Sequence, residues 1–237
     1  MSDRGAAWAL VGSGVATVAL EHAPYAHVVA RPLVWISTLA HEGGHGLTAV
    51  LVGAQWRGFQ IFANGSGVAS WQGSPGAVGR ALIAAGGLVG PAIAAAALFL
   101  LARSARGARI GLGLLAAALA LSLVTVVNSV FTFAVVAVLA ALLAGSAWAL
   151  PDEANRFVAA FFGVQLALSV FSRSDYLWAT VAKTGAGAMM SDTAQMAAAL
   201  WLPAWFWGAL CGAFSIAVLG FGVWGAVAGS GGTPTDR

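Results

Sequence analysis

Charge is what this sequence has least of. Lys, Arg, Asp and Glu make up 8% of its 237 residues, where a soluble domain carries about 25%. A chain so poor in charge cannot cover a water-facing surface of its own size, which excludes an ordinary soluble globular protein. Cysteine is almost missing. Cys211 stands alone in an apolar stretch, so no disulfide framework holds the fold. Blocks of like charge are missing too. The net charge of +3 rests on a few scattered residues, and no nucleic-acid partner is implied. Histidine and glutamate are scarce, at four and three copies.

Apolar residues are plentiful. They make up 60% of the chain, with ten Trp and 31 Gly, and the mean hydropathy is +0.87. Apolar runs fall at about 6–20, 33–53, 81–102, 110–127, 129–150, 157–182 and 199–228. A helix needs about 20 residues to cross the hydrocarbon core. Helices are the expected solution, because backbone groups in lipid must be satisfied within their own segment. The pattern therefore predicts an all-α integral membrane protein, a bundle of about six to seven transmembrane helices. The first run follows a single Arg and resembles a signal peptide. No soluble region follows it, so it reads as the first membrane segment. Pro32, Pro151 and the charged "RSARGAR" (103–109) punctuate the runs. Residues 1–228 read as a single domain, and the tail "GSGGTPTDR" (229–237) as disordered. Basic residues divide almost evenly between the two sides, so the charge bias sets no orientation.

Two connections are longer than turns. Residues 54–80 hold the alternating stretches "WRGFQIF" and "GVASW" around "ANGSG". That pattern predicts a small β-hairpin after the second helix, turning at Asn64-Gly65. Residues 183–198, "KTGAGAMMSDTAQMAA", hold glycines and then a helix start.

Against this background, "LAHEGGHGL" (39–47) stands out. His41 and His45 are four apart, which on a helix places both imidazoles on one face. Two neutral imidazoles at that spacing can bind one zinc ion, with Glu42 beside the first as general base. Zinc lowers the pKa of bound water toward ~7 and polarises a scissile carbonyl. Intramembrane ionisable groups are expensive and are usually functional. Gly43 and Gly44 each cost about 1 kcal/mol of helix propensity, but they leave the helix surface bare for close approach.

"TLAHEGGHGLTAVLVGA" (38–54) followed by "FANGSGVAS" resembles the site-2-protease family of intramembrane zinc metallopeptidases, in its small peptidase-B-like bacterial and plant branch. Gly44 fits that family's H-E-x-G-H form. "AGGLVGPAIAA" (85–95) resembles its small-residue A-G-P segment, and "SDTAQMAAALWLPAWFW" (191–207) resembles its S-D and P-A-x-x-W stretch. The resemblance implies zinc as cofactor, single-pass membrane proteins as substrates, and a bacterial cell membrane as location. It also implies a third metal ligand in an Asn-Pro-x-Asp-Gly or Leu-Asp-Gly motif. Neither occurs here.

A three-ligand zinc site needs another His, Asp or Glu. The candidates are Asp175, Asp192, Asp152, Glu153, His22 and His27. If 157–182 is one helix running parallel to 33–53, Asp175 lies ~10 Å and His45 ~12 Å from the same side. The depths match, so Asp175 is the expected third ligand, although Arg173 offers it an alternative partner. Asp192 is the second choice. In "DTAQ" it reads as a helix N-cap with Gln195 at N3, while the S-D resemblance favours a ligand. Asp152 and Glu153 read as first-turn helix charges, and His22 and His27 as interfacial residues flanking Pro24. The Trp-rich "WLPAWFW" (201–207) suggests a membrane interface. The rival class is non-enzymatic: a metal-ion transporter, or an inactive relative that binds membrane helices. A transporter should spread its intramembrane acids and His along a path, whereas here they concentrate in one motif plus Asp175.

Overall fold

The computed structural model describes residues 8, 10–15, 19, 26–172 and 177–228, excepting the side chains of 26–30 and 171–172. Residues 10–15 are helical. The chain continues as α1 (Ala26–Leu51), β1 (Gln55–Ile61), β2 (Gly67–Gln72), α2 (Gly76–Leu101), α3 (Ala105–Thr125), α4 (Val130–Ala149) and α5 (Asp152–Ser172). It ends with β3 (Val181–Thr184), β4 (Gly187–Met190), α6 (Asp192–Leu200) and α7 (Ala204–Ala228).

The expected six to seven crossings are matched in part, and part of the first run (6–20) lies outside the described residues. Among the described residues four helices, α2, α3, α4 and α7, are long and apolar enough to cross a membrane. α1 falls short because it holds Arg31, His41, Glu42 and His45 along with several glycines. α5 opens on Asp152, Glu153, Asn155 and Arg156, which dilutes its apolar length. Nor is 157–182 a single helix. α5 ends at Ser172, and the chain is already strand by Val181.

Local chemistry sets several of the helix ends. Ser104 caps α3, its Oγ accepting from the Gly107 N–H at 2.9 Å. Ser129 caps α4 by accepting from the Thr132 N–H at 3.1 Å, which makes Asn128-Ser129 a true break between helices. Each such cap contributes about 1 kcal/mol. α6 stops at Trp201, which adopts a left-handed φ of 68° before Pro203.

α2 is the central helix. Of its most apolar stretch 61% is buried, against 22–33% for the other three spans. It packs against α1, α5, α6 and α7, while α3 and α4 pair beside them. Large apolar side chains face outward, among them Leu114, Val124, Trp148, Phe221 and Trp224. That surface suits lipid, not water.

β1 and β2 form an antiparallel hairpin. At its tip the Phe62 N–H donates to the Ser66 carbonyl, and Gly65 adopts a φ of 89°. The outer edge of β1 is occupied. The Phe59 N–H donates to the Val126 carbonyl at 3.0 Å, and the Ile61 N–H donates to Thr132 Oγ1 at 3.0 Å. No described strand pairs with the outer edge of β2. A second hairpin, β3–β4, lies where the sequence pattern suggested only a loop. Its tip meets that of the first hairpin: the Gly185 N–H donates to Ser66 Oγ at 2.9 Å, and Gly185 lies against the Phe62 ring.

Candidate metal centre

α1 supplies His41, Glu42 and His45, all less than a tenth exposed. The glycines around them set the approach of α2. A Cβ on Gly44 would overlap the Gly86 carbonyl oxygen, and one on Gly90 would lie 3.1 Å from the Ala40 carbonyl oxygen. The two backbones therefore touch where only glycine allows it. Gly87 makes room for a side chain instead, because a Cβ there would run into the His45 ring. Gly43 has a different use. No atom lies within 4 Å of where its Cβ would be, so it leaves open space beside Glu42.

This packing fixes the orientation of His45. Its Nδ1 lies 2.7 Å from the Ile83 carbonyl oxygen on α2. A carbonyl only accepts, so Nδ1 carries the proton and Nε2 presents a lone pair. That lone pair faces His41 Nε2 at 3.2 Å and Asp192 Oδ1 at 3.3 Å. Asp192 Oδ2 is 3.2 Å from His41 Nε2, yet it is buried without a well-directed hydrogen bond.

One ligand atom from each of His41, His45 and Asp192 lies within 4.8 Å of the others. Three electron-pair donors thus converge in a buried space. A proton on His41 would satisfy one of these contacts, whereas a cation bound by all three would satisfy them together. Imidazole nitrogen and carboxylate oxygen are the donors that three-ligand zinc sites use, so the residues present fit such an ion.

The role of Asp192 differs from the capping box expected for it. Ser191 is the N-cap of α6, its Oγ accepting from the Ala194 N–H at 3.2 Å. Ser191 also anchors the helix start to the preceding chain, donating from Oγ to the Ala179 carbonyl at 2.6 Å and from its N–H to the Thr180 carbonyl at 3.0 Å. Asp192 is therefore released from capping, and its side chain turns to the histidines. Gln195 donates to the Met190 carbonyl and does not reach back as a box partner.

The remaining candidates are elsewhere. Asp175 and His22 lie outside the described residues, as does the side chain of His27. Asp152 pairs with Arg109 at 3.0 Å, and Glu153 lies 3.6 Å from Arg156. Arg109 is near the start of α3, beyond the far end of α2 from Ile83 and Gly87, so neither acid approaches the histidines. Among the described residues, Asp192 is the carboxylate that joins them.

A cavity of about 80 Å³ opens on this cluster. β2 forms one wall through Gly67, Val68 and Trp71, and the second hairpin forms another through Thr184 and Met189. β2 passes directly over the base candidate, since a Cβ on Gly67 would lie 2.7 Å from Glu42 Oε1. The sequence reading missed the second hairpin, Gly67 and the Ile83 carbonyl. Only the likeness of 191–207 to a family segment drew attention to the α6 start.

A largely helical chain with four membrane-length helices and a buried His-His-Asp group defines a membrane-protein class able to hold a metal ion. The chain belongs to the Peptidase M50B-like family, which it matches over residues 12–222. That membership agrees with the site-2-protease resemblance and implies a protease. No curated protein and no solved structure matches the chain.

Proposed function

We propose that this protein is a zinc-dependent endopeptidase that hydrolyses peptide bonds of membrane-protein substrates at or within the bilayer. The observation that carries the reading is the convergence of His41, His45 and Asp192 on one buried space, next to Glu42, in a member of a peptidase family. His41 and His45 would hold the ion with Asp192 as third ligand, the role first expected of Asp175. Zinc, when bound, supplies Lewis acidity toward a carbonyl and makes water more acidic.

The chain's own residues do the rest. Glu42 stands one residue from a ligand, on the cavity wall, and accepts the proton of the attacking water. It then returns that proton to the departing amide nitrogen. His45 is held in one tautomer by the Ile83 carbonyl, so its Nε2 stays available as a ligand. The open edge of β2 offers main-chain groups to an extended substrate segment, so the substrate helix unwinds there before cleavage. Thr184 and Met189 bound the segment on the opposite side. Met189 on that side and Trp71 on the β2 side make both walls partly apolar, as membrane-derived residues require.

The test is cleavage of a single-pass membrane substrate by purified protein in detergent, with zinc measured on the same sample. Activity that tracks zinc content and disappears in Glu42→Gln supports the reading. Cleavage undiminished in Glu42→Gln would overturn it.

A further inference from the structure

A second, smaller cavity of about 20 Å³ lies among α1, α2, α5 and α7 and touches His41. It is separate from the cleft bounded by the hairpins, sharing only His41 with that lining. Three of its wall residues are serines from three helices: Ser37 of α1, Ser169 of α5 and Ser215 of α7. All three are buried. Serines converging inside an otherwise apolar bundle need an explanation, because a buried hydroxyl without a partner is costly.

Ser37 makes the need concrete. Its Oγ is buried and has no hydrogen-bond partner among the described residues. It stands one helical turn before His41, on the same face. Ser169 donates its Oγ hydrogen to the Leu166 carbonyl at 2.7 Å, and its oxygen lines the cavity as an acceptor type. A polar cavity holds a water once it offers about 10–15 Å³ and two to four polar partners. This cavity meets the volume for a single molecule, and the three hydroxyls with His41 supply the partners. Empty cavities, by contrast, are lined by apolar groups alone.

We infer that the bundle holds one ordered water beside His41, bound by Ser37, Ser169 and Ser215, and that this water is the inner reserve for hydrolysis. The site is a true binding site whatever the enzyme does; its role as a reserve rests on the peptidase reading. Each peptide bond hydrolysed consumes one water, and a substrate seated along β2 covers the front of the cleft. The cavity touches His41 and shares no other residue with the lining of the hairpin cleft.

Radiolytic footprinting of the full-length protein in detergent micelles tests the binding site directly, because X-rays generate hydroxyl radicals from bound water in place. Leu88 and Val170 line the cavity, while Leu112 and Leu143 are fully buried away from it. The expected result is oxidation of Leu88 and Val170 well above that of Leu112 and Leu143, falling to their level in a Ser37→Ala, Ser215→Ala double variant. Wild-type oxidation no higher at Leu88 and Val170 than at Leu112 overturns the site without any reference to activity. For the reserve role, the double variant should lower kcat about fivefold, the scale of one lost hydrogen bond, with KM and zinc content unchanged. An unchanged kcat overturns that role, and so does a loss of zinc together with activity. If the wild-type protein cleaves nothing while the footprint is present, the peptidase reading fails and the water site stands.

Discussion

Glu42→Gln exchanges one carboxylate oxygen for an amide and leaves the shape of the side chain almost unchanged. Removing a general base typically costs about 10²–10⁴-fold in rate. Cleavage should fall by that order while bound zinc, measured by metal analysis, stays at the wild-type level. At Ser191 and Asp192 the prediction is a contrast between neighbours. Ser191 caps α6 and Asp192 faces the histidines. Ser191→Ala should lower stability by about 1 kcal/mol and keep zinc, whereas Asp192→Asn should lose zinc. Asp175→Asn belongs in the same experiment. Zinc lost from Asp175→Asn but kept by Asp192→Asn would return the third-ligand role to Asp175. Gly87→Ala probes the support behind the metal site. Its new methyl would collide with the His45 ring, breaking the alignment of Nδ1 with the Ile83 carbonyl. Ala favours a helix over Gly by about 1 kcal/mol, so α2 itself should not weaken. Zinc affinity should fall nonetheless, and titration with a competing chelator would measure the drop.

The α1–α2 interface decides where the histidines sit. Gly44 meets the Gly86 carbonyl across a contact with no room for a side chain. Gly44→Leu must push the two helices apart, and overpacking of this kind costs about 1–3 kcal/mol. Thermal unfolding in detergent should show the loss, and Gly43→Ala, facing open space, should show none. The sequence made much of this element legible. The i, i+4 histidines put both ligands on one face, and the adjacent glycines announced a close approach. The small antiparallel hairpin was visible through alternation around Asn64-Gly65, because a period of two over six residues is a strong signal. β3–β4 was not visible. Four-residue strands such as "VAKT" and "GAMM" are too short to alternate, and their glycines resemble a loop. The start of α6 misled for a related reason. Ser191 and Asp192 both suit an N-cap, and only tertiary contacts with Ala179 and Thr180 decide which one takes it. α1 is less legible as a span than the other long helices, because Arg31, His41, Glu42 and His45 make it less apolar.

Across the whole molecule, the three candidate ligands come from parts held by unequal forces. His41 and His45 lie on a 26-residue helix packed against the central α2. Asp192 lies on α6, a nine-residue helix. Helices this short are marginal on their own, since about 12–15 residues are needed before an isolated helix holds in water. β4 leads into α6, and all four of its residues are exposed. α6 packs on α2 and α7, Ser191 and Thr193 bond to the Ala179 carbonyl, and Gly185 of the second hairpin donates to Ser66. An ion shared by α1 and α6 would therefore stabilise the α6 side far more than the α1 side. Binding at 100 times Kd stabilises the bound state by about 2.7 kcal/mol. Chelation should accordingly raise amide hydrogen exchange across 181–200, while α3 and α4, which contribute no ligand, stay as protected as before. Exchange that rises equally in α3 and α4 would mean global loosening of the bundle and would count against Asp192 as the residue that ties α6 to the histidines.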